Sequence, residues 1–505
     1  MKYILGMDIG TTGCKVNIYN EDLKSLVSSY RSYDIISAYP GWTEEDPNIW
    51  WHCTKDAIKE CLRKSNVSSK NIVCAGVSCT NGIVAVDKNG DSIYNAIMQI
   101  DNRTVSQADR INEMVGPDVI FRITGNRIAQ GTFSAPIILW LKENLPEIYD
   151  KAFKFLSPTG FIVQKLTGKY SFDYTRASTT LLFDINNKIW SSEICTLLDI
   201  SMDKLPNTYA SEEIVGFVSD LVSRETGLSE GMPVIAGVMD SVAACIGLGT
   251  TSISNPALII GTVARLCIPH HMNDLDNRFL NSVFIDKIPF LSMTPVNAGG
   301  LSTRWFIKNF LEEEKKGLHK LEKDFYEYLE KKSSDIPAGS NSLIYLPYLV
   351  GERSPIWDSN ARGVFFGVNL KHTKYDFYKA ILEGVAFAIK HNLEVYTGKY
   401  KTDIKTITIG GGGAKSKLWS KIFADILGIP IIVPNVVETE TKGSAVLAGY
   451  GTGLFDSLDR ILPKEDVIVI DPNFNNAKVY GLLFDIYKDI YTNNIISFKE
   501  LQNIK

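Results

Sequence analysis

Residues 4–17 read "ILGMDIGTTGCKVN", and this stretch decides how the N-terminal region folds. The residues "YIL" predict a short buried strand, "KVNIY" alternates like a second strand, and "IGTTG" between them has turn chemistry. We therefore predict a β-hairpin that presents backbone N–H groups, the hydroxyls of Thr11 and Thr12, and the carboxylate of Asp8. Such N–H groups suit a phosphate, and the carboxylate suits a metal ion held with it. An ordinary glycine-containing hairpin is the alternative. The P-loop pattern is excluded, because no Gly-Lys-Ser/Thr follows.

Length and composition narrow the class of protein. A chain of 505 residues is too long for one core and predicts two or more domains. Hydrophobic residues make up 45% and charged residues 22%, which is typical of a soluble globular protein. The net charge of −4 provides no basic field for nucleic acid. No apolar run approaches a membrane span and no signal-peptide pattern is seen, so we expect a cytoplasmic protein without a membrane partner.

The eight cysteines are scattered and form no Cys-x-x-Cys pair. This spacing favours reduced thiols over a disulfide framework or a zinc site. The six histidines, of which only two are adjacent, argue against a metal cluster as well.

Apolar runs alternate with helical patterns along the chain, which indicates an α/β fold. Apolar residues recur at helical spacing from Tyr378 to Ile389 and from Leu418 to Leu427, the second helix being stopped by Gly428. The charged segment 312–332 predicts a surface helix. Strands are predicted at "NIVCAGVS" (71–78), "PVIAGV" (233–238), "PALIIGTV" (256–263), "SLIYLPYLV" (342–350), "TITIGG" (406–411) and "IIVP" (431–434).

A domain boundary is predicted near 248–256, where "GLGTTSISNP" is rich in Gly, Ser and Thr. We place the two domains at 1–250 and 251–505. Just after this boundary, "LIIGTVARLCI" (258–268) repeats the order strand, Gly-Thr turn, strand without the acid. Two such hairpins suggest a duplicated fold that grips nucleotide phosphates between them, the alternative being coincidence.

Several segments, in order along nearly the whole chain, resemble those of one known family. They are "GMDIGTTGCKV", "PGWTEEDPNIWW" (40–51), "IMQIDNRT" (97–104), "IAGVMDSVAACIGLG" (235–249), "IIGTVARL", the long segment 348–389, "IGGGGAKSKLWSKIFADILGIPI" (409–431) and "ETKGSAVLAG" (440–449). On these motifs the chain is identified as a member of the FGGY carbohydrate kinases, in the actin-like ATPase superfamily.

The resemblance implies two α/β domains of ribonuclease-H-like fold with the active site in a cleft between them. It also implies that ATP donates its γ-phosphoryl group to a hydroxyl of a polyol, ketose or sugar acid, assisted by Mg²⁺. Members of the family are often homodimers, so a homodimer is a further possibility.

Asp240 is the candidate catalytic base. It follows the apolar run "PVIAGVM" and precedes "SVAACIGL", so we expect it where a strand meets a helix N-terminus. The helix dipole there would favour an ionised carboxylate that can accept a hydroxyl proton. A helix-capping role is the alternative for Asp240 and is compatible with catalysis.

The resemblance also implies a set of nucleotide contacts. Asp8 would orient Mg²⁺, the alternative being a turn-capping acid. Gly411 and Gly412 would allow close approach of the nucleotide, the alternative being a flexible loop, and Arg304 is either a nucleotide contact or a solvated helix charge. The complete set of residues expected to bind ATP and its metal is Asp8, Thr11, Thr12, Gly13, Gly261, Thr262, Gly300, Arg304, Gly411, Gly412 and Ser416.

The acceptor is expected at Thr80, Asn81, Asp101, Arg103 and Asp240. Family members that act on xylulose or gluconate usually carry Met-His-Gly where this chain has Thr80-Asn81-Gly82. Asn81 can still read hydroxyl groups, but it carries no charge. Arg103 could instead form a structural ion pair with Asp101.

D-xylulose, giving D-xylulose 5-phosphate, is the expected acceptor, because residues 130–144 resemble those of family members that act on xylulose. Gluconate, L-xylulose, ribulose, erythritol and the autoinducer-2 ketone stay open. A different class, a non-catalytic nucleotide-dependent sugar sensor, would keep the ATP loops and lose the base. Asp240 is present, which favours the enzyme.

Overall fold

The structure is a computed structural model, and it describes residues 1–129, 131–285, 287–321, 324–435, 438–458 and 467–504. Gln130, which begins the segment 130–144, lies outside the described residues. So do residues 322–323 within the charged segment 312–332.

The strands of the described residues are, in chain order, β1 (Tyr3–Gly10), β2 (Gly13–Asn20), β3 (Ser25–Ser32), β4 (Glu44–Glu45), β5 (Ile72–Cys79), β6 (Gly82–Val86), β7 (Ala96–Met98), β8 (Lys154–Leu156), β9 (Ser171–Asp173), β10 (Phe183–Asp184), β11 (Ile189–Trp190), β12 (Asn207–Tyr209), β13 (Ile214–Phe217), β14 (Pro233–Ile235), β15 (Val238–Met239), β16 (Ala257–Ile260), β17 (Ala264–His270), β18 (Leu280–Ile285), β19 (Ile288–Val296), β20 (Ile344–Leu346), β21 (Val364–Phe366), β22 (Ile407–Gly410), β23 (Ile431–Pro434) and β24 (Val467–Ile470).

The α-helices of the same residues are α1 (Pro47–Ser65), α2 (Val105–Met114), α3 (Pro117–Thr124), α4 (Ala135–Asn144), α5 (Pro146–Lys151), α6 (Pro158–Thr167), α7 (Tyr174–Ala177), α8 (Ser192–Leu197), α9 (Asp220–Thr226), α10 (Asp240–Gly247), α11 (Gly300–Phe310), α12 (Glu312–Lys320), α13 (Phe325–Ser334), α14 (Lys374–Tyr400), α15 (Lys417–Leu427), α16 (Thr439–Gly451) and α17 (Phe474–Asn503). The α/β fold class is confirmed.

The N-terminal stretch forms the predicted hairpin. β1 and β2 pair antiparallel from Tyr3 opposite Asn20 to Gly10 opposite Gly13, which leaves Thr11 and Thr12 as the turn. The apolar side chains of both strands are buried, and this burial fixes the register, since a slip of one residue would expose them. We call this element the first hairpin.

The chain forms two compact units. The first unit comprises Met1–Thr251, Pro269–Leu291 and Glu438–Leu462, and the second comprises Ser252–Ile268, Ser292–Val437 and Pro463–Lys505. Two segments beyond the predicted boundary at residue 250 therefore belong to the first unit. β17 and β19 each contain a point where the chain passes from one unit to the other.

The main sheet of the first unit has the strand order β13-β14-β5-β1-β2-β3, with β15 also paired to β5. β5 runs parallel to both β1 and β15, so that Ser78 lies beside Asp8 and beside Val238. The carboxyl ends of three strands therefore meet at one edge of the sheet. In open α/β sheets this edge is where ligands bind.

Helices cover both faces of this sheet. α1 and α6 share a buried apolar core with Leu5, Met7 and Ile9 on one face. Alternate residues of a strand point to opposite faces, and a Cβ at Gly6 would overlap the carbonyl oxygen of Thr441 in α16. α16 comes from near the C-terminus of the chain and packs against β1, β5 and α10, and glycine permits this close approach.

The sheet of the second unit includes β17-β16-β22-β23-β24 in that order. β16 pairs antiparallel with β17, with Ile260 opposite Ala264, and parallel with β22. The predicted strand, Gly-Thr turn and strand at 258–268 are confirmed, and we call this element the second hairpin. α15 ends at Gly428, which has a φ of 68°, as the sequence predicts.

Some predicted elements are shorter or divided. The strand predicted at 342–350 is limited to β20, and the strand at 233–238 is divided into β14 and β15 by Gly237, whose φ is 90°. The charged segment 312–332 forms α12 and α13 rather than one helix. All eight cysteines lie outside disulfide bonds in the described residues, and seven of them are buried. Within the described ranges, every helix is too short or too polar to cross a lipid bilayer.

Candidate active site

Asp240 is the first residue of α10, directly after β15, at the sheet edge described above. This is the strand-to-helix junction that the sequence predicts. Its side chain is about one-third exposed, with a relative exposure of 33%. Oδ1 accepts hydrogen bonds from the backbone N–H and the hydroxyl of Ser241, at 2.7 and 3.0 Å. Met239, not Asp240, occupies the N-cap position.

Arg176 contacts Asp240 and was missed by sequence reasoning. Its guanidinium Nη2 lies 3.2 Å from Asp240 Oδ1 and also donates to the carbonyl oxygen of Cys79. Arg176 is buried and lies in α7, a helix of four residues. Such a short helix has no apolar periodicity, so the sequence carried no signal for this contact.

Asp8 projects from β1 at the same sheet edge. Its Oδ1 accepts a hydrogen bond of 2.7 Å from the Ser78 hydroxyl. Burial raises the pKa of Asp8 to about 8, and the nearby carboxylates of Glu440 and Asp240 act in the same direction. Lys15, which pairs with Asp8 across the hairpin, lowers that pKa, but its effect is the smallest of these causes. Its Nζ lies 2.9 Å from Glu438 Oε2.

The turn of the first hairpin lies beside the predicted sugar-reading residues. Thr11 Oγ1 and Thr80 Oγ1 are 3.4 Å apart, and the Thr80 N–H donates to the carbonyl oxygen of Ile9. Asn81 is buried and its Nδ2 donates to the Thr132 carbonyl oxygen at 2.9 Å. Asp8, Thr11, Thr80 and Asp240 all belong to the first unit. The fold of this unit therefore brings them together.

Hydrogen bonds from Tyr30 and Tyr33 hold the turn of the first hairpin. The carbonyl oxygen of Thr12 accepts hydrogen bonds from the backbone N–H of Tyr33 and the hydroxyl of Tyr30, and the carbonyl oxygen of Gly10 accepts one from the Tyr33 hydroxyl at 2.5 Å. A Cβ at Gly13 would lie only 2.5 Å from the Tyr30 ring. Two tyrosines therefore fix the conformation that the turn N–H groups adopt.

Asp101 and Arg103 form a buried ion-pair cluster with Glu44. Arg103 Nε and Nη2 donate to the two oxygens of Asp101, at 2.9 and 2.7 Å, and Nη1 donates to Glu44 Oε1 at 2.6 Å. The guanidinium lies over the ring of Trp42, at 3.6 Å, and both charged side chains of the Asp101–Arg103 pair are almost fully buried. These contacts favour the structural alternative for Arg103, and substrate binding by the pair stays a prediction.

In the second unit, the second hairpin contacts the start of α11. The N–H of Gly300 donates to the carbonyl oxygen of Gly261 at 2.9 Å. A Cβ at Gly300 would overlap that oxygen, so this contact requires glycine. Arg304 Nη2 donates to Thr262 Oγ1 at 2.6 Å, which places a cation at the turn. Gly261 and Thr262 are both exposed.

The four-glycine segment follows β22. Gly411 has a φ of 81°, and a Cβ at Gly413 would overlap Ile260, so both positions need glycine for local reasons. Gly412 has open space around it, and Gly411 and Gly412 are both exposed, so a ligand can approach the segment at these two residues. Ser416 caps α15, its hydroxyl accepting from the Trp419 N–H at 3.0 Å.

The first hairpin offers one carboxylate, that of Asp8, as an oxygen ligand for a magnesium ion. Asp8 is a hard oxygen ligand, and it shares its surroundings with the carboxylates of Glu440 and Asp240, which disfavour its ionised form. A divalent cation would relieve that repulsion. Asp8 is thus the residue that would hold Mg²⁺, whose chemical contribution is to neutralise phosphate charge.

An acid at a helix start, beside a glycine-containing hairpin on an α/β sheet, fits a phosphotransferase that acts on an alcohol group. Residues 3–247 match the N-terminal domain of the FGGY family of carbohydrate kinases, and residues 282–452 match its C-terminal domain. The chain belongs to the FGGY family of carbohydrate kinases. The resemblance in the sequence motifs is confirmed.

Full-length relatives agree with this assignment. The chain is 33% identical over 501 residues to a xylulose kinase of Bacillus subtilis strain 168, covering 97% of each chain. The structure of a ligand-bound xylulose kinase from Lactobacillus acidophilus matches with a TM-score of 0.90 at 26% identity, over 99% of this chain and all of that one. A gluconate kinase from the same organism also matches with a TM-score of 0.90 at 26% identity, over 99% of each chain.

Proposed function

We propose that the chain transfers the γ-phosphoryl group of ATP to a hydroxyl of D-xylulose, giving D-xylulose 5-phosphate. The observation that carries the reaction is the position of Asp240, a partly exposed carboxylate at the start of α10 and at the ligand-binding edge of the sheet. The choice of xylulose is supported by the B. subtilis relative, which matches over nearly the full length of both chains.

Asp240 is the proposed base. Phosphoryl transfer requires positioning, charge neutralisation and a group near the attacking hydroxyl that accepts its proton. Asp240 lies at the N-terminal end of α10, and its partial exposure leaves its carboxylate open to an acceptor. Thr80 and Asn81, at the end of β5, are the proposed contacts to other hydroxyls of the sugar.

The phosphates are the proposed ligands of the two hairpins. Thr11, Thr12 and Gly13 would contact them from the first hairpin, and Gly261, Thr262, Gly300 and Arg304 from the second. Asp8 would hold Mg²⁺, and Gly411, Gly412 and Ser416 would contact adenosine. That both hairpins bind one nucleotide, in a cleft that closes over it, stays a prediction.

A neutral acceptor is favoured over a sugar acid. A carboxylate substrate would need an accessible cation, and the Arg103 side chain is buried and already paired with the carboxylates of Asp101 and Glu44. Asn81 reads hydroxyls without charge. Gluconate nevertheless remains the second candidate, because the gluconate kinase structure matches as well as the xylulose kinase structure.

A coupled assay of ADP release tests the acceptor. It compares kcat/KM for D-xylulose, D-gluconate, L-xylulose, ribulose, erythritol, glycerol and the autoinducer-2 ketone. We expect D-xylulose to give the highest value. A hundredfold preference for any other compound would replace the xylulose assignment, and ATP binding with no turnover of any acceptor would favour the sensor.

Asp240→Asn tests the base. We expect turnover to fall by at least about 100-fold, as for removal of a general base, with ADP binding retained. Asp220→Asn is the matched control, because Asp220 is also the first residue of a helix in the first unit and is exposed. Turnover of Asp240→Asn equal to that of the control would remove Asp240 from the mechanism.

A further inference from the structure

The four-residue helix α7 is fixed to the residues around Asp240 by its own hydrogen bonds. Asp173 caps it, with Oδ1 accepting from the Arg176 N–H at 2.9 Å. Within α7, the Thr175 hydroxyl accepts a hydrogen bond of 2.8 Å from the backbone N–H of Met239. The carbonyl oxygen of Thr175 in turn accepts from the Ser282 hydroxyl. α7 therefore holds the backbone immediately before Asp240.

The Arg176 side chain extends this contact to the carboxylate itself. The residue is only 2% exposed, and a buried guanidinium requires partners for its charge. Nη2 bridges Asp240 Oδ1 and the carbonyl oxygen of Cys79, the last residue of β5. Cys79 directly precedes Thr80 and Asn81. One guanidinium nitrogen thus connects Asp240, the proposed base, to the residue before Thr80 and Asn81, the proposed sugar contacts.

Hydrogen bonding to Asp240 is one-sided. Among the described residues, its three hydrogen-bond donors, Arg176 Nη2 and the two groups of Ser241, all point at Oδ1. This arrangement fixes the rotation of the carboxylate and leaves Oδ2 for a ligand.

The charges around Asp240 make this cation significant. Asp8 is an acid close enough to Asp240 for the two groups to interact electrostatically. Asp173, capping α7, is a further acid beside Arg176. Of these groups Arg176 alone is a cation, and it is the one in hydrogen-bond contact with the carboxylate.

The arrangement is not explained by packing stability. Within the described part of the chain, Arg176 Nε and Asp173 Oδ2 are buried without a hydrogen-bond partner. Unsatisfied buried polar atoms weaken a fold. An apolar side chain of similar volume would avoid this cost, which points to a role for the guanidinium in the site.

We propose that Arg176 is a positioning residue, which holds Oδ1 of Asp240 so that Oδ2 faces the acceptor hydroxyl. The proposal rests on the proposed function, because it assigns the orientation of the base. Arg176 acts in this scheme through Asp240 and the Cys79 carbonyl, and has no contact with the transferred phosphoryl group. Its loss leaves the acid in place with the wrong orientation.

Two substitutions test this role in the full-length enzyme. Arg176→Gln removes the charge and shortens the reach, and we expect kcat to fall about 100-fold, the size of effect that misplacement of a reacting group produces. KM for ATP and for the sugar should change less than about threefold, because neither ligand is bound by Arg176. Arg176→Lys, which keeps the charge, should recover at least about tenfold of the lost kcat.

The matched control is Arg110→Gln, which breaks an exposed ion pair with Glu143 in the same unit and should leave kcat and KM unchanged. The number of ADP sites per chain, measured by titration, separates loss of turnover from loss of folded enzyme. If kcat falls only in proportion to the ADP sites, in either variant, the role is structural and the proposal is overturned.

A full kcat in Arg176→Gln would overturn it too. An equal loss in the Lys and Gln variants would show that the cation is not what holds Asp240. Asp240→Asn, measured in parallel, separates the role of Asp240 as the base from the role of Arg176 as a positioning residue. Full activity of Asp240→Asn would remove Asp240 as the base in the proposed function and the positioning role with it, whereas an inactive Asp240→Asn beside a fully active Arg176→Gln would overturn the positioning role alone.

Discussion

The two hairpins share a backbone design and differ in charge. The first hairpin carries Asp8 three residues before its turn, and burial, together with nearby carboxylates, raises the pKa of Asp8 to about 8. The second hairpin has no acid, and Arg304 donates to its turn at Thr262. The same strand-turn-strand element thus offers an acidic surface in one unit and a cationic surface in the other.

This difference suggests a division of labour. Backbone N–H groups at a turn can bind phosphate in both cases. A metal ion can add charge only where a carboxylate holds it, and direct neutralisation by a side chain is available only at the second hairpin. The comparison therefore predicts that substitutions in the first hairpin act on turnover and those in the second act on ATP affinity.

Asp8→Asn should give the largest effect. Loss of the metal-holding carboxylate removes several kcal/mol of charge stabilisation, which corresponds to a loss in kcat of about 1000-fold. The measurement is steady-state turnover as a function of Mg²⁺ concentration, with Asp22→Asn, an exposed acid in the β2–β3 turn, as control. A kcat of Asp8→Asn within threefold of the wild-type value would contradict the role of the first hairpin in turnover.

Gly300→Ala should affect ATP binding next most strongly. The added Cβ overlaps the carbonyl oxygen of Gly261, so the second hairpin must shift, at a cost of about 1–3 kcal/mol. The expected rise in the Kd of ATP is about 10- to 100-fold. Gly317→Ala is the control, because Gly317 lies in α12 and its added methyl group would project into open space. Equal affinities would show that the contact does not support binding.

Arg304→Ala should have a smaller effect on the same property. One exposed hydrogen bond to Thr262 is lost, worth about 0.5–1.5 kcal/mol, so we expect a rise of about two- to tenfold in KM for ATP with kcat unchanged. Lys308→Ala, an exposed cation on the same helix, controls for net charge. A fall in kcat without a change in KM would contradict the assignment of this hairpin to ATP affinity.

A last expected effect concerns the stability of the fold and leaves turnover and ATP binding aside. Burial raises the pKa of Glu45 to about 8, and its Oε2 accepts from Trp50 Nε1 at 2.7 Å. The folded state therefore retains a proton that the unfolded chain releases near its ordinary pKa of 4.5. Stability from this group is complete below that pH and is lost as the pH rises through about 8.

Glu45→Gln should accordingly gain stability relative to the wild type between pH 5 and pH 8, by about 2 kcal/mol. Urea unfolding at the two pH values measures this gain. Glu113→Gln, at an exposed position of α2, should show no such trend. A gain that shrinks with rising pH would reverse the sign of the effect and contradict the burial argument.

Local sequence patterns predicted the elements that depend on neighbouring residues. The first hairpin, β5, β23 and the helix ending at Gly428 follow from alternation, turn chemistry and helical spacing over short windows. Asp240 could be placed at a helix start because an apolar run precedes it and a helical pattern follows. These features require no knowledge of distant parts of the chain.

The rest depends on long-range contacts. Arg176 and Asp240 are 64 residues apart, and no spacing in the sequence relates them. The burial of Arg103 between Asp101, Glu44 and Trp42 could not be read from the Asp-x-Arg pattern, which fits a ligand contact equally well. The membership of α16 in the first unit was missed for the same reason, since its partners in β1 lie at the opposite end of the chain.

α16 also has a consequence for how the protein is made. The ribosome synthesises β1 and β5 early, with Gly6 and Gly76 exposing the face that α16 later covers. The first unit can reach its full set of contacts only after residue 451 has left the exit tunnel. A nascent chain that stops before residue 439 therefore carries an uncovered sheet face, so a chaperone that binds exposed apolar surface should hold such truncated chains and release the full-length one.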